Sequence, residues 1–221
     1  MLVTGGAGFI GSHLVDALLE AGFRVRVLDD FSTGRRTNPD AEICDVDICK
    51  AEHLAGKFDD VDCVFHTAAL PRVPLSIEMP VLTHMVNVVG TLNVLVAARD
   101  AGVRRFIYSG SSSVYGNQER LPLREDMIPA PLNPYGLQKL VGEQYGRMFY
   151  RLFRLPTLTL RYFNVFGPGM AIDGAYVTVI SAFLRARRDG KPLTIAGDGE
   201  QTRDFTHVSE YRHFNRKRHS R

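Results

Sequence analysis

A run of glycines close to the start of the chain constrains its fold more than any other feature. Met1 to Thr4 reads as a short strand that passes directly into Gly5-Gly6-Ala7-Gly8-Phe9-Ile10-Gly11. Behind the run, Ile10, Leu14, Ala17, Leu18 and Ala21 recur at helical spacing as far as Gly22, a residue suited to stopping a helix. Val25, Val27 and Leu28 then form a second strand that ends at Asp29-Asp30. A G-x-x-G-x-x-G spacing alone is weak, because glycines also mark ordinary tight turns. Between a strand and a helix it says more. Small residues let the backbone approach a pyrophosphate, and the helix N-terminus supplies N–H donors and a partial positive charge. Asp29 follows Gly11 by 18 residues, at a strand end where a carboxylate can accept hydrogen bonds from ribose hydroxyls. The competing interpretation is a glycine turn followed by a solvated strand-end Asp.

A carboxylate at Asp29 would repel a 2′-phosphate, so the site favours NAD over NADP. Arg35 and Arg36 lie several residues beyond the strand end and read as solvated loop charges. Asp47-Ile48, after the third strand, could hold an adenine through the carboxylate and an apolar contact, or Asp47 could cap a helix.

The same rhythm continues downstream. Further strands are expected at Ala41 to Cys44, Val61 to Phe65, Arg104 to Ser109 and Thr157 to Tyr162, with helices most clearly at Val81 to Ala101 and Tyr135 to Phe153. Strands alternating with helices imply parallel pairing through right-handed crossovers. The expected fold is therefore α/β, a doubly wound parallel sheet of the Rossmann type covered on both faces. Met1 leaves only three residues before Thr4, so weak pairing of the first strand is expected. Beyond about Phe163 the pattern changes to Gly/Pro-rich loops, a helix around Val177 to Arg188 and a short strand at Leu193 to Ala196. At roughly 150 residues per domain, 221 residues hold one domain and part of a second. The expected division is a dinucleotide-binding domain over 1–163, an incomplete smaller substrate domain over 164–208, and a basic tail over 209–221.

Charge narrows the function classes. The chain carries 27 Lys and Arg against 24 Asp and Glu, but Arg212, Arg216, Lys217, Arg218 and Arg221 fall in the last eleven residues, which hold no acid. The remainder has 22 basic against 24 acidic residues, which argues against a nucleic-acid or membrane-surface partner for the domain. Cys44, Cys49 and Cys63 are odd in number and contain no Cys-x-x-Cys pair, so neither a disulfide framework nor a zinc site is indicated. His13, His53, His66, His84 and His207 show no metal-ligand spacing. With no signal-peptide pattern at the start and no apolar run expected to approach the ~20 residues of a membrane span, a cytoplasmic location is expected.

Tyr135 and Lys139 are four residues apart on an expected helix and share a face. A phenol with a pKa near ~10 is a poor base at neutral pH, and a neighbouring ammonium favours the phenolate. Tyr-x-x-x-Lys is also common on solvated helix faces; its place downstream of the glycine turn favours the functional interpretation. The fifth strand runs into Ser109-Gly110-Ser111-Ser112-Ser113-Val114-Tyr115-Gly116. In an open parallel sheet ligands bind beyond the carboxyl ends of the strands, so this hydroxyl cluster faces a candidate site, unless it is simply a polar turn. One serine donating to a substrate oxygen would complete a Ser/Tyr/Lys set for hydride transfer.

Thr4-Gly5-Gly6-Ala7-Gly8-Phe9-Ile10-Gly11-Ser12-His13-Leu14, Phe65-His66-Thr67-Ala68-Ala69, Pro134-Tyr135 with Lys139, Leu160-Arg161-Tyr162-Phe163-Asn164-Val165-Phe166-Gly167-Pro168 and Gly197-Asp198-Gly199-Glu200-Gln201-Thr202-Arg203-Asp204-Phe205 together resemble the extended short-chain dehydrogenase/reductases. Within that group the chain is most similar to the NAD-dependent nucleotide-sugar epimerases, of the UDP-glucose and UDP-N-acetylglucosamine 4-epimerase type, from Met1 to about Val208. The resemblance implies Ser111, Tyr135 and Lys139 as the catalytic set. For NAD it implies Gly5, Gly8, Phe9, Ile10 and Gly11 at the turn, and Asp29, Asp30, Ser32, Thr33 and Gly34 after the second strand. Asp47, Ile48, Thr67, Ala68, Ala69, Asn87 and Tyr162 join them, together with Tyr135 and Lys139. For a UDP-hexose or UDP-N-acetylhexosamine it implies Ser111, Ser112 and Tyr135 at the sugar, and Asn164 and Arg203 at the diphosphate. Asn164 could instead order a loop, and Arg203 could pair with Asp204 or Asp198.

The implied reaction is epimerisation at C4 through a 4-keto sugar, with NAD regenerated in each cycle. Sugar 4,6-dehydratases of the same family carry an Asp-Glu pair where this chain has Ser112-Ser113, so dehydration is not expected. Gly136-Leu137-Gln138 departs from the family, which often has small residues and a Ser or Thr before the lysine; a packing change is the expected effect. The stretch Tyr211 to Arg221 lacks apolar periodicity and reads as an unrelated or frame-shifted ending, hence a truncated reading frame, with a nucleic-acid tail as the competing interpretation. Two functions follow: a working sugar-nucleotide epimerase, or a vestigial NAD-binding protein with an incomplete sugar pocket. Related enzymes pair through two long helices, so a homodimer is expected here through Val81 to Ala101 and Tyr135 to Phe153.

Overall fold

Six parallel strands, β1 (Leu2–Thr4), β2 (Arg26–Asp29), β3 (Glu42–Asp45), β4 (Cys63–His66), β5 (Arg105–Ser111) and β6 (Thr157–Tyr162), form one sheet in the order β3-β2-β1-β4-β5-β6. They belong to a computed structural model that describes residues 1–173, 178–195 and 197–210. Short as it is, β1 pairs in register on both sides, Leu2 to Thr4 against Arg26 to Leu28 and against Val64 to His66. The expectation of weak pairing does not hold, because all three residues are fully buried at the centre of the sheet.

Alternation along each strand sends neighbouring residues to opposite faces. Leu2, Leu28, Val64, Phe106 and Tyr108 pack on one side with Val94, Leu95, Ala98 and Phe149, which come from α4 (Thr91–Asp100) and α5 (Pro134–Phe153). Val3, Val27, Cys63, Phe65 and Ile107 pack on the other with Leu14, Val15 and Leu18 of α1 (Phe9–Glu20). The sheet is thus doubly wound. Reversal of strand order between β1 and β4 opens a crevice beyond the carboxyl ends of the strands.

The expected helix Val81 to Ala101 is present but not uniform. A short helix α2 (Val73–Glu78) precedes α3 (Pro80–His84), which passes through a π-helical turn (Met85–Gly90) into α4. The continuous stretch Pro80–Asp100 is 21 residues long, with a mean hydropathy of 1.7 over its most apolar window, so by length and composition it could cross a bilayer. That corrects the expectation that no run approaches this length. The apolarity has another use, since Val88, Val94, Leu95 and Ala98 are buried in the fold.

Helix α5 begins where sequence chemistry puts it. Asn133 is extended and its side-chain oxygen accepts from the Gly136 N–H at 2.9 Å, with Pro134 in the first turn. At the helix midpoint, the buried Glu143 carboxylate takes two bonds from the Arg161 guanidinium, 3.0 Å from Nε and 2.8 Å from Nη2, and one from Arg147. Arg161 also lies over the Tyr115 ring, 4.6 Å from its centroid. Breaking a buried pair from one side strands the other charge. Glu143→Ala is expected to lower unfolding stability by about 3–5 kcal/mol, read as a fall in the urea midpoint, whereas an unchanged midpoint would mean that the pair adds nothing.

The chain forms two compact units that meet at Tyr162/Phe163. The second unit contains α6 (Val179–Arg188) and a parallel pair, β7 (Asn164–Phe166) with β8 (Phe205–His207). The Thr178 hydroxyl caps α6 by accepting from Ser181 N–H, and Arg188 pairs with Asp173 and Asp189. The strand expected at Leu193 to Ala196 is not formed: residues 193–195 make no ladder, and Leu193 and Ile195 are 54% and 64% exposed. Ala196, Val177 at the expected start of α6, and the tail 211–221 lie outside the described residues.

Candidate active site

The glycine turn closes on itself at the end of β1. Gly5 takes φ +68°, a conformation that side chains disfavour, and a Cβ there would stand 2.6 Å from Ala68 N. At Gly11 a Cβ would sit 2.0 Å from the Gly5 carbonyl oxygen. Gly8 is the N-cap of α1, and neither a side-chain cap nor an acidic residue occupies the first turn, where Phe9 and Ile10 follow. A helix N-terminus left to backbone donors in this way suits a phosphate. Gly34 closes the loop after β2 over the turn, where a Cβ would meet Ala7 O at 2.2 Å.

Asp29, at the end of β2, is 8% exposed. Its Oδ2 accepts from Ala7 N–H and its Oδ1 from Phe31 N–H, each at 2.9 Å. Burial raises its pKa while those two N–H groups pull it back. Each oxygen keeps a lone pair that a ribose hydroxyl could use. Asp30 turns outward and holds Ser32 through its backbone N–H and its hydroxyl, and Thr33 is exposed beside them. Arg36 is not merely solvated: it pairs with Asp16 of α1 at 2.6 Å and donates its backbone N–H to Ala7 O. These features fit a dinucleotide, with a tight turn, an uncapped helix start and a buried carboxylate one strand away.

Ser111, Tyr135 and Lys139 come together beyond β5. Ser111 Oγ accepts from Ser113 N–H at 3.1 Å, so its own proton is available to the Tyr135 oxygen beside it. Tyr135 is 8% exposed and hydrogen-bonds to Ser111; burial raises the phenol pKa and the Ser111 contact opposes that. The Tyr135 backbone N–H is anchored on Ser76 Oγ at 3.1 Å. Lys139 Nζ donates to Ser109 O at 2.9 Å and lies 5.0 Å from the Tyr108 ring centroid. Burial brings its pKa down to about 8. One of the three ammonium N–H groups is taken by the Ser109 carbonyl, and burial is the largest influence on Tyr135. Ser112 is partly exposed beside this group, and Tyr162 pairs in register with Ser111 from β6.

A buried hydrogen-bond chain ties these two regions together. Thr91 Oγ1 donates to Asn87 O at 2.8 Å, so towards His66 Nε2, 2.9 Å away, it must accept. His66 is therefore the Nε2–H tautomer, and its Nδ1 accepts from Thr4 Oγ1 at 2.6 Å. Thr4 Oγ1 in turn accepts from Ala68 N–H. Burial first, then the Lys139 charge, push the His66 pKa down to about 3. Thr67 Oγ1 donates back to Thr4 O, Ala69 lies two residues further on, and Asn87 grips Leu70 at both its N–H and its C=O.

The remaining expectations land less directly. Asp47 accepts from Cys49 N–H, while Lys50 is the N-cap of the following 3-10 turn. Ile48 is turned into the core against Gly90. In the second unit, Asn164 Nδ2 donates to Asp204 O at 3.0 Å, the loop-ordering alternative, and Arg203 is exposed with Nη1 on Thr202 O rather than on Asp204 or Asp198. Sequence reasoning did not single out Ser76, Thr91 or Thr83. Asn133 next to Pro134 was a readable cap signal.

Residues 1–216 match the profile of the NAD dependent epimerase/dehydratase family. Over 215 residues the chain is 41% identical to a putative UDP-glucose 4-epimerase of Methanocaldococcus jannaschii, covering 95% of this chain and 70% of that protein. A solved UDP-N-acetylglucosamine 4-epimerase of Methanobrevibacter ruminantium, in complex with UDP-N-acetylmuramic acid, superposes with a TM-score of 0.93 at 38% identity, over 97% of this chain and 70% of that one. A Thermus thermophilus UDP-glucose 4-epimerase in complex with NAD gives 0.90 at 34% identity, over 97% and 72%. The chain thus spans about 70% of the length of these relatives.

Proposed function

Membership of the NAD dependent epimerase/dehydratase family, to which this chain belongs, is the premise from which we propose that the protein interconverts the C4 epimers of a UDP-hexose or UDP-N-acetylhexosamine. The meeting of Ser111, Tyr135 and Lys139 beyond β5 is the observation that carries this reading. NAD is the cofactor. When bound, it supplies the two-electron oxidation at C4 and its reversal. Tyr135, as phenolate, accepts the proton of the sugar 4-hydroxyl. With substrate in place, Ser111 turns its hydroxyl from Tyr135 towards the sugar O4 and steadies the charge there as C4 becomes a carbonyl. Lys139 keeps a buried positive charge at the cofactor end of the site. The 4-keto sugar turns over, is reduced on its other face, and regains its proton from Tyr135. Ser112 and Ser113 offer no carboxyl to drive loss of water. To the diphosphate we assign Asn164 and the Arg203 fork, whose chemistry suits phosphate oxygens.

For a partner, a second copy of the chain is supported by apolar residues left on the outer faces of the two long helices. Val81, Leu82 and Met85 lie exposed on one, and Leu137, Met148 and Leu152 on the other.

Incubation of the NAD-loaded protein with UDP-glucose or UDP-N-acetylglucosamine is expected to yield an equilibrium mixture with the 4-epimer, resolved by chromatography. No conversion by protein that carries NAD would leave a vestigial NAD-binding role. Calorimetric titration is expected to show NAD binding on the order of 100-fold more tightly than NADP, as a like charge held near Asp29 implies. Asp29→Ser is expected to narrow that gap by at least about tenfold; equal affinities in the parent protein would remove Asp29 from the site.

A further inference from the structure

Gln138 sits between Tyr135 and Lys139 on the buried face of α5 and is 4% exposed. We infer that it is a positioning residue that couples the NAD cradle to the setting of Tyr135 and Lys139, an inference that rests on the proposed epimerase mechanism. The assignment runs outward from the backbone. Leu70 N–H needs an acceptor, so Asn87 Oδ1 faces it at 2.8 Å and Asn87 Nδ2 faces Leu70 O at 3.1 Å. The second Nδ2 hydrogen then points at Gln138, which must present its oxygen, at 2.8 Å. Gln138 Nε2 is left to donate to Thr83 Oγ1 at 3.0 Å, whose own proton goes to a carbonyl of Met79 or Pro80. Both amides in this buried set have one orientation.

Leu70 ends the segment Thr67-Ala68-Ala69-Leu70, and Ala68 is the residue against which Gly5 is pressed. The path therefore runs from the glycine turn through Ala68, Leu70 and Asn87 to Gln138, and ends beside the lysine and one turn from the tyrosine. A shift of α5 along its axis would break both Gln138 bonds at once and leave Asn87, itself 1% exposed, with a buried N–H unmet. A Ser or Thr at this position has a shorter side chain and a single oxygen, and lacks the two-ended amide that accepts from Asn87 and donates to Thr83.

Gln138→Met keeps the shape and removes both bonds. In the full chain it is expected to weaken NAD binding about tenfold by calorimetry and to lower kcat about tenfold. The KM for the UDP-sugar should stay within about twofold, with a displaced pH midpoint of kcat. Gln138→Glu retains an oxygen for Asn87 but can donate to Thr83 only when protonated, so its NAD affinity is expected to recover towards the parental value as pH falls. Parental NAD affinity and an unmoved pH profile in Gln138→Met, with only a lower melting temperature, would reduce Gln138 to packing. Should that variant not fold, Thr83→Val unpins the outer end of the amide and is expected to weaken NAD about threefold; unchanged affinity there overturns the inference. A parent protein that turns over no UDP-sugar refutes the epimerase mechanism, while the NAD titrations still decide the role of Gln138.

Discussion

Tyr135→Phe is expected to lower the rate of 4-epimer formation by about 1000-fold, within the range a positioned acid–base group supplies, while NAD remains bound. The substitution removes one oxygen from a residue whose ring stays packed and whose backbone N–H stays on Ser76. What disappears is the group that takes the sugar proton and returns it, and with it the partner of Ser111. Because burial raises the phenol pKa, the phenolate is the minor form at neutral pH, so parental kcat rises with pH as that proton is lost. The residual activity of the Phe variant has no such rise. Lys139, brought down to about 8 by burial, still keeps its proton at pH 7, so its charge persists where the tyrosine works. Chromatographic assay of epimer together with acid-released NAD separates the two effects: loss of NAD content along with activity would make Tyr135 a binding residue, and retained activity would exclude it as the base.

Gly11→Ala is expected to weaken NAD binding by at least about 100-fold, a cost of roughly 3 kcal/mol. The new methyl would fall 2.0 Å from Gly5 O and 2.8 Å from Gly5 C, backbone atoms that no rotamer change can move aside. The turn has to open, and Gly5 is already held at positive φ against Ala68, so opening it also disturbs the segment after β4. Gly22→Ala is the control. Gly22 also has positive φ, but a Cβ there meets nothing within 4 Å, so backbone strain comes without a change at the turn. Calorimetry on both variants, with urea midpoints alongside, checks this; NAD affinity that falls equally in the two would assign the effect to stability alone.

The dinucleotide half of the fold is legible because its signals are local. β-Branched runs bounded by turn residues mark all six strands to within two residues, and the strand–glycine–helix order around Gly5 to Gly11 can be read without tertiary information. The carboxylate at Asp29 follows from its place at a strand end. Long-range partners are not encoded in this way. The Thr4–His66–Thr91 chain joins residues 62 and 25 positions apart, and nothing near any one of them announces the others. Spacing puts Tyr135 and Lys139 on one face but cannot choose the lysine rotamer, which takes the ammonium to Ser109 O. The failed strand at Leu193 to Ala196 has the same origin. Alternation says which residues could share a face, whereas a strand exists only where a neighbouring ladder accepts it.

The π turn in the long helix makes the site sensitive to chain length as well as residue identity. Met85–Gly90 closes its bonds one residue later than an α-helix does and so accommodates an extra residue between α3 and α4. Excising one residue there other than Asn87 would let the helix run straight. Each α-helical residue turns the face by about 100°, so the preceding segment, Thr83 included, would swing away from Gln138 while every chemical group of the network stayed in the chain. Deletion scanning would therefore find a lesion that no single substitution reproduces.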